Sequence, residues 1–167
     1  MINRPTWNET EIVIQREISW LKDNILPFHN DHNPTNISDD YFYRALAILI
    51  VSGKVKATEY TFNIDELLSG IDCDSEIIKS HGSLWHDNTI KKLSDYLSTI
   101  YGFAKIEKNQ PSLLYGYADI FINDNSSTKT FIEIDTVSIF KLWLNLSLMQ
   151  ELVIINIKSN KIIKFSN

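Results

Sequence analysis

Two stretches in the first half of the chain place apolar residues three and four positions apart, the spacing that predicts amphipathic helices. In the first stretch a capping-box pattern begins at Asn8, and Pro27 ends the apolar stripe. The second stretch begins at Ser38, whose hydroxyl can cap free N–H groups, and ends at Gly53. From 55 to 64 apolar and polar residues alternate, which predicts a short β-hairpin.

The second half of the chain predicts a compact set of alternating helices and strands. The predicted elements are a helix at 89–101, strands at 103–108, 113–122 and 130–136, a helix at 138–149, and strands at 152–157 and 161–165. The strand at 152–157 is β-branched and almost wholly apolar, as expected in the middle of a covered sheet. The order is therefore α-β-β-β-α-β with an extra strand at the end, and the fold class is α/β.

The pattern divides the chain into an N-terminal region, a connector and a core. We expect a mostly helical region over 1–72, a connector over 73–86 and the α/β core over 87–167. Two interpretations of the first region stay open. It is either a winged helix, with the 55–64 hairpin as its wing, or a helical packing or dimerisation domain.

The composition limits the chain to one principal core. Its 167 residues, 44% of them hydrophobic, can bury one full-sized core, alone or with a small satellite domain. The longest apolar runs fall far short of the ~20 residues that span a bilayer, and the first residues do not have the pattern of a signal peptide. Cys73 stands alone, which excludes an intramolecular disulfide and a multi-cysteine zinc site. We therefore expect a cytoplasmic protein that does not enter the membrane.

The net charge of −5 is unevenly distributed along the chain. Residues 1–72 hold six Lys/Arg against eleven Asp/Glu, while residues 73–167 hold ten of each. A surface that binds nucleic acid phosphates must be locally basic, so it would belong to the second half. The lysines that could form it are Lys91, Lys92, Lys105, Lys108, Lys158, Lys161 and Lys164. The alternative is that these lysines only solvate the surface.

Carboxylates interrupt two of the apolar strands. Asp119 lies in the first, and Glu133 and Asp135 lie two residues apart in the next, so the strand period points the latter two to the same side. If the strands pair, Asp119 reaches that side as well, because neighbouring strands are only ~4.8 Å apart. Three converging acids repel one another, and a divalent cation would relieve that repulsion. Mg²⁺ is the expected ion, because Mg²⁺ prefers oxygen ligands and keeps bound waters that can react. Mn²⁺ is expected to substitute for it.

Other interpretations of these polar residues are simpler. Glu133 and Asp135 could line the solvated side of an amphipathic strand, with Asp119 on the other side. His29 and His32 lie in a loop without further nearby ligands, which is typical of surface histidines. His86, just ahead of the core helix, could serve the site as an acid–base group, but surface or capping use is the commoner role.

The sequence resembles the PD-(D/E)XK nuclease superfamily, which includes restriction enzymes, Holliday junction resolvases and repair nucleases. The resemblance rests on the element order over 87–157 and on two short motifs, Ala118-Asp119 and Glu133-Ile134-Asp135. It implies a restriction endonuclease-like core in which Asp119 binds the metal, Glu133 is the second acidic ligand and the carbonyl of Ile134 is a further ligand. Asp135 stands where the family usually has a lysine, and Lys141 in the following helix would be its displaced counterpart.

The resemblance therefore implies a Mg²⁺-dependent DNA endonuclease with Asp119, Glu133, Asp135 and Lys141 as its catalytic residues. The core helix offers Ser94 where the family often has an acid. Together with Asp135, this leaves two alternatives open: an inactive nuclease-like interaction module, and a DNA-binding regulator that uses the N-terminal region. We expect DNA as the partner and a homodimer as the assembly, because symmetric dimers are the commonest oligomers.

Overall fold

The computed structural model of the protein describes residues 6–27, 33–61, 63, 84–101, 105–111, 117–123, 129–148, 151–156 and 160–167. Its helices are α1 (Trp7–Asn24), α2 (Asp39–Val51), α3 (Leu84–Tyr101) and α4 (Ile139–Ser147). Its strands are β1 (Leu26–Pro27), β2 (Lys56–Thr61), β3 (Lys105–Pro111), β4 (Tyr117–Asn123), β5 (Thr130–Ile134), β6 (Thr136–Val137), β7 (Glu151–Asn156) and β8 (Lys161–Ser166). The described part of the chain is thus a mixed α/β structure.

Local side-chain caps determine where three of the helices begin. The capping box of α1 is formed by Thr6 and Glu9, so the prediction that it begins at Asn8 is wrong by two residues. Ser38 caps α2 as predicted, and Ser138 caps α4. After α2 the chain reverses through Gly53, whose φ of 75° favours a residue without a Cβ.

Six strands form one mixed sheet in the order β2-β8-β7-β5-β4-β3. Strands β5 and β7 run parallel, as a strand–helix–strand connection through α4 requires, and the other neighbours are antiparallel. A second, two-stranded sheet pairs β1 with β6 in parallel. The order α3-β3-β4-β5-α4-β7 agrees with the predicted α-β-β-β-α-β order, apart from the short β6 between β5 and α4.

The predicted hairpin at 55–64 is not present as such. Residues 56–61 form a single edge strand, β2, which pairs with β8 at the far end of the chain. Alternation indicated β structure, but it could not show that the partner lies so far away in sequence. Positions 62 and 64 of the same pattern lie outside the described residues. A wing that pairs within the N-terminal region is therefore not what residues 56–61 form.

Helices cover both faces of the sheet and create two clusters of buried side chains. Helices α1, α2 and α4 pack on one face, where the largest fully buried side chains are Leu21, Ile25, Phe42, Leu46, Leu142, Leu146, Leu152 and Phe165. On the other face α3 packs through Ile90 and Leu93 on residues of β4, β5 and β7. The N-terminal helices therefore share their core with the strands of the C-terminal half.

Several helices and strands begin or end at residues other than those predicted. Helix α3 already includes residues 84–88, which were expected to belong to the connector or the helix start, and Ile100 is 57% exposed rather than on its buried face. The predicted strand at 130–136 is divided into β5 and β6 at Asp135. The loop histidines His29 and His32, and Cys73, lie outside the described residues.

Candidate active site

Asp119 and Glu133 share one face of the sheet where β4 and β5 run side by side. The antiparallel register pairs Ile120 with Ile132 and Phe121 with Phe131. Continuing that register by one residue places Asp119 opposite Glu133, and residues opposite each other across a ladder point to the same side. The stacked rings of Phe121 and Phe131, with centroids 5.1 Å apart, occupy the next position on this face. Both acids are buried.

The carboxylate of Asp119 is bound by groups from two other elements. The backbone N–H of Ile134 donates a 2.8 Å hydrogen bond to its Oδ2 atom. His86 Nε2, from the first turn of α3, lies 3.4 Å from the same oxygen. That separation is at the long end of the range for an N–H···O hydrogen bond.

The carboxyl group of Glu133 contacts the ammonium group of Lys141 through its Oε1 atom, and the two form an ion pair when Glu133 is ionised. Lys141 lies in the first turn of α4, where its backbone N–H donates to the Ser138 hydroxyl at 3.4 Å and its carbonyl accepts from the Asn145 amide at 2.8 Å. The side chains of Glu133 and Lys141 are only 3% and 10% exposed. The first turn of α4 thus brings Lys141 back to the acid of β5.

Burial controls the protonation of this cluster. Desolvation raises the pKa of Glu133 to about 8, with a further contribution from the charge of Asp119, and the nearby Lys141 only partly opposes it. Desolvation also acts on His86, lowering its pKa, but the Asp119 contact and the charges of Asp87 and Asp135 outweigh burial, and the net direction is upward. The side chains of Asp119, Glu133, Lys141 and His86 therefore interact as one electrostatic group.

Asp135 does not continue the strand alternation that the sequence suggested. Its backbone is left-handed, with φ at 66°, and β5 ends at the residue before it. Its N–H donates to the carbonyl of Ile155 on β7 at 2.8 Å. The strand period, on which the predicted facing of Asp135 and Glu133 rested, is therefore interrupted at Asp135 itself. The side chain is buried, and its charge acts on His86.

The carboxyl groups of Asp119 and Glu133 are the candidate donors for a divalent cation in this cluster. In the described part of the chain, no group of three or more His, Cys, Asp or Glu side chains is arranged to hold a metal ion. Mg²⁺ usually takes only one or two protein carboxylates and keeps several waters, so Asp119 and Glu133 suffice in number. Glu133 Oε1 is buried, and its contact is with the Lys141 ammonium. Burial is the main reason that the pKa of Glu133 is raised, and a cation would offset the cost of a buried charge as well as the smaller effect of the Asp119 charge.

The basic surface expected in the second half is partly neutralised. Lys161 pairs with Glu59 at 2.9 Å, and Lys164 pairs with Glu151 at 3.1 Å. Lys91 is exposed on α3. Lys158 lies outside the described residues. Two of the seven predicted lysines are therefore held by acids of the same protein.

His86 is the residue whose role the sequence interpretation underestimated. Its expected place was the surface or a helix cap, yet it is 3% exposed and contacts Asp119. A signal was present, because His86 precedes Ile90, Leu93 and Leu97 at spacings of four, three and four, which places it on the buried stripe of α3. Starting the helix at 89 hid that relation.

Comparisons with known proteins do not assign the chain to a family. No family model, no curated protein and no solved structure matches it. The described helices include none with both the length and the apolar character needed to cross a bilayer. The protein is therefore a mixed α/β protein with a cluster of buried acidic and basic side chains, the acid–base cluster, at one end of β4 and β5.

Proposed function

We propose that the protein is a Mg²⁺-dependent DNA endonuclease of the PD-(D/E)XK type. The observation that carries the proposal is the buried Glu133–Lys141 pair beside Asp119, on strands that follow one another in the sheet. The order of the elements from α3 to β7 supports the same restriction endonuclease-like core. We propose DNA as the substrate class and a homodimer as the assembly.

The buried pair is difficult to explain by stability alone. Removing two charges from water costs several kcal/mol for each ion, and replacing such a pair with apolar residues is often neutral or stabilising. A carboxyl group whose pKa is strongly raised by burial and by a neighbouring acid is typical of functional sites. The arrangement of Glu133, Lys141 and Asp119 is therefore better explained by chemistry than by packing.

In the proposed site Asp119 and Glu133 would hold the metal ion, with the Ile134 carbonyl as the further ligand implied by the resemblance. The ion supplies Lewis acidity toward a phosphate oxygen and a water of lowered pKa. Lys141 places the attacking water near the phosphorus and stabilises charge on the phosphate oxygens as the P–O bond to the leaving oxygen breaks. Asp135, buried beyond the end of β5, adds negative charge to the cluster.

A second candidate is a nuclease-like interaction module without catalysis. One observation favours it: Glu133 already has Lys141 as a partner, and Asp119 already has Ile134 N–H and His86. In this alternative the two pairs are structural, and the site never receives a cation. A related possibility is a regulator that binds duplex DNA through the N-terminal region but does not cut it.

The decisive experiment is a nicking assay on plasmid and branched DNA with Mg²⁺ or Mn²⁺. We expect cleavage by the wild-type protein, and its loss in Asp119→Ala and Glu133→Ala, because each removes a proposed ligand. Lys141→Ala should retain metal binding but lose most of the turnover. Glu59→Ala is the matched control, since it removes an acid that is paired with a lysine on the exposed edge of the sheet.

Three outcomes separate the candidates. Cleavage that persists in excess EDTA would contradict the metal mechanism. Duplex binding that weakens steeply with salt, without cleavage in any metal, would indicate the regulator. A protein that neither binds Mn²⁺ by calorimetry nor binds DNA would indicate the non-catalytic module.

A further inference from the structure

His86 reaches the site from the opposite face of the sheet. Helix α3 packs through Ile90 and Leu93 on that face, whereas Glu133 and Lys141 lie on the face covered by α4. His86 is nevertheless buried and lies against the carboxylate of Asp119. In the turn that carries it, the Thr89 hydroxyl donates to the Trp85 carbonyl at 2.7 Å, and both of these residues are buried. The imidazole is therefore held by a packed helical turn.

Two contacts converge on a single oxygen of Asp119. Oδ2 accepts from Ile134 N–H at 2.8 Å and faces His86 Nε2 at 3.4 Å. One hydrogen bond leaves a carboxylate able to rotate about its own axis, whereas two contacts from different elements determine its orientation. Groups that hold one oxygen of a metal-binding carboxylate in this way orient the ligand and tune its affinity.

We infer that His86 is a positioning residue that fixes the Asp119 carboxylate for a divalent cation. The inference rests on the proposed function, because it requires Asp119 to be a metal ligand. His86 acts through Asp119 and does not itself coordinate the ion. This assigns the otherwise unexplained burial of a histidine in α3 to the same site as the acids of β4 and β5.

The test is the affinity of the full chain for Mn²⁺, measured by calorimetry at one fixed pH. We expect His86→Ala to weaken Mn²⁺ binding by roughly 10–100-fold, the usual effect of losing a group that orients a metal ligand. His86→Gln should bind within a few-fold of the wild type, because its amide nitrogen can occupy the position of Nε2. Asp95→Asn is the control: it removes an exposed acid from the same helix and should leave Mn²⁺ affinity unchanged.

A spectroscopic measurement separates positioning from direct ligation. Pulsed electron paramagnetic resonance of the Mn²⁺ complex detects coupling to a coordinated ¹⁴N. We expect no imidazole coupling in the wild-type protein. Coupling that disappears in His86→Gln would overturn the inference, because His86 would then be a ligand.

The remaining outcomes distinguish this inference from the proposed function. If the wild type does not bind Mn²⁺, both fail. If Asp119→Ala abolishes binding while folded His86→Ala binds as tightly as wild type, the inference alone is wrong. Should His86→Ala not fold, His86→Asn takes its place, since its shorter amide cannot reach Asp119. Equal Mn²⁺ affinities for His86→Asn and His86→Gln would then overturn the inference.

Discussion

Ionisation of Glu133 should make the metal-free protein less stable as pH rises. The pKa of this carboxyl is raised from 4.5 to about 8 in the folded state, mainly by burial. Below about pH 4.5 the group is protonated in both the folded and the unfolded chain and has no effect. Between 4.5 and about 8 the unfolded chain loses the proton and the folded chain keeps it, so the free energy of unfolding falls with pH.

The size of the effect follows from the two pKa values, which differ by about 3.5. At about 1.36 kcal/mol for each pH unit, the loss reaches about 5 kcal/mol above pH 8 and about 3 kcal/mol at pH 7. The attraction of Lys141 is already included in the folded value. A loss of this size is a large fraction of the ~5–15 kcal/mol by which a typical domain is stable.

Glu133→Gln removes the titrating group and should abolish this loss. We compare the free energies of unfolding of Glu133→Gln and wild type. The variant's value minus the wild-type value should rise by roughly 3–4 kcal/mol from pH 5 to pH 8, however large or small the difference is at pH 5. The measurement is urea unfolding in EDTA at several pH values, with equal m-values as the check on comparability. His86 titrates in both proteins, so the comparison largely removes its contribution.

The double variant Glu133→Gln/Lys141→Met separates the acid from its partner. It has neither charge, so its stability relative to wild type should also rise with pH, without any contribution from an ammonium group left in a buried position. A stability difference that stays flat within ~1 kcal/mol from pH 5 to 8 would refute the reasoning. Glu133 would then be ionised throughout, as an ordinary partner of Lys141.

Three further predictions concern the stability contributed by residues outside the acid–base cluster. Leu142→Ala, at a fully buried position of α4, should cost roughly 2–5 kcal/mol in urea unfolding, and a cost below ~1 kcal/mol would contradict the assigned packing. Gly53→Ala should cost about 1 kcal/mol by the same measurement, because a Cβ there meets no neighbour but the backbone is left-handed; no cost would contradict that conformation. Glu11 has its pKa lowered to about 2 by Arg44, so its stabilising contribution is present above about pH 4.5 and is lost as pH falls through about 2. Thermal melting of Glu11→Gln should therefore match wild type most closely at the lowest pH, and a gap that widens on acidification would contradict this sign.

The parts of the fold that sequence predicted well are those determined by neighbours along the chain. Ser38 and Gly53 delimit α2, because a cap and a left-handed glycine act within one turn. The facing of Asp119 and Glu133 follows from the pairing of two consecutive strands, whose polar link favours antiparallel neighbours. In the same way Lys141 lies in α4, the first helix after β5 and the short β6, so its return to Glu133 needs no information from distant parts of the chain.

The parts that sequence missed depend on distant contacts or on backbone conformation. The partner of β2 is β8, about a hundred residues later, and alternation carries no information about such a partner. Nothing in an apolar run shows that Asp135 is left-handed, since the alternation of side chains carries no information on a single φ angle. The contact of His86 with Asp119 requires the rotation of α3 on the sheet, which a misplaced helix start concealed.

The left-handed backbone at Asp135 also changes the strand with which the chain pairs next. At Asp135 the chain leaves the large sheet and forms β6, which runs beside β1, the segment that directly follows α1. The backbone that follows Glu133 therefore pairs with the segment at the C-terminal end of α1. The end of α1 and the strand that carries Glu133 are thus connected through one short pair of parallel strands.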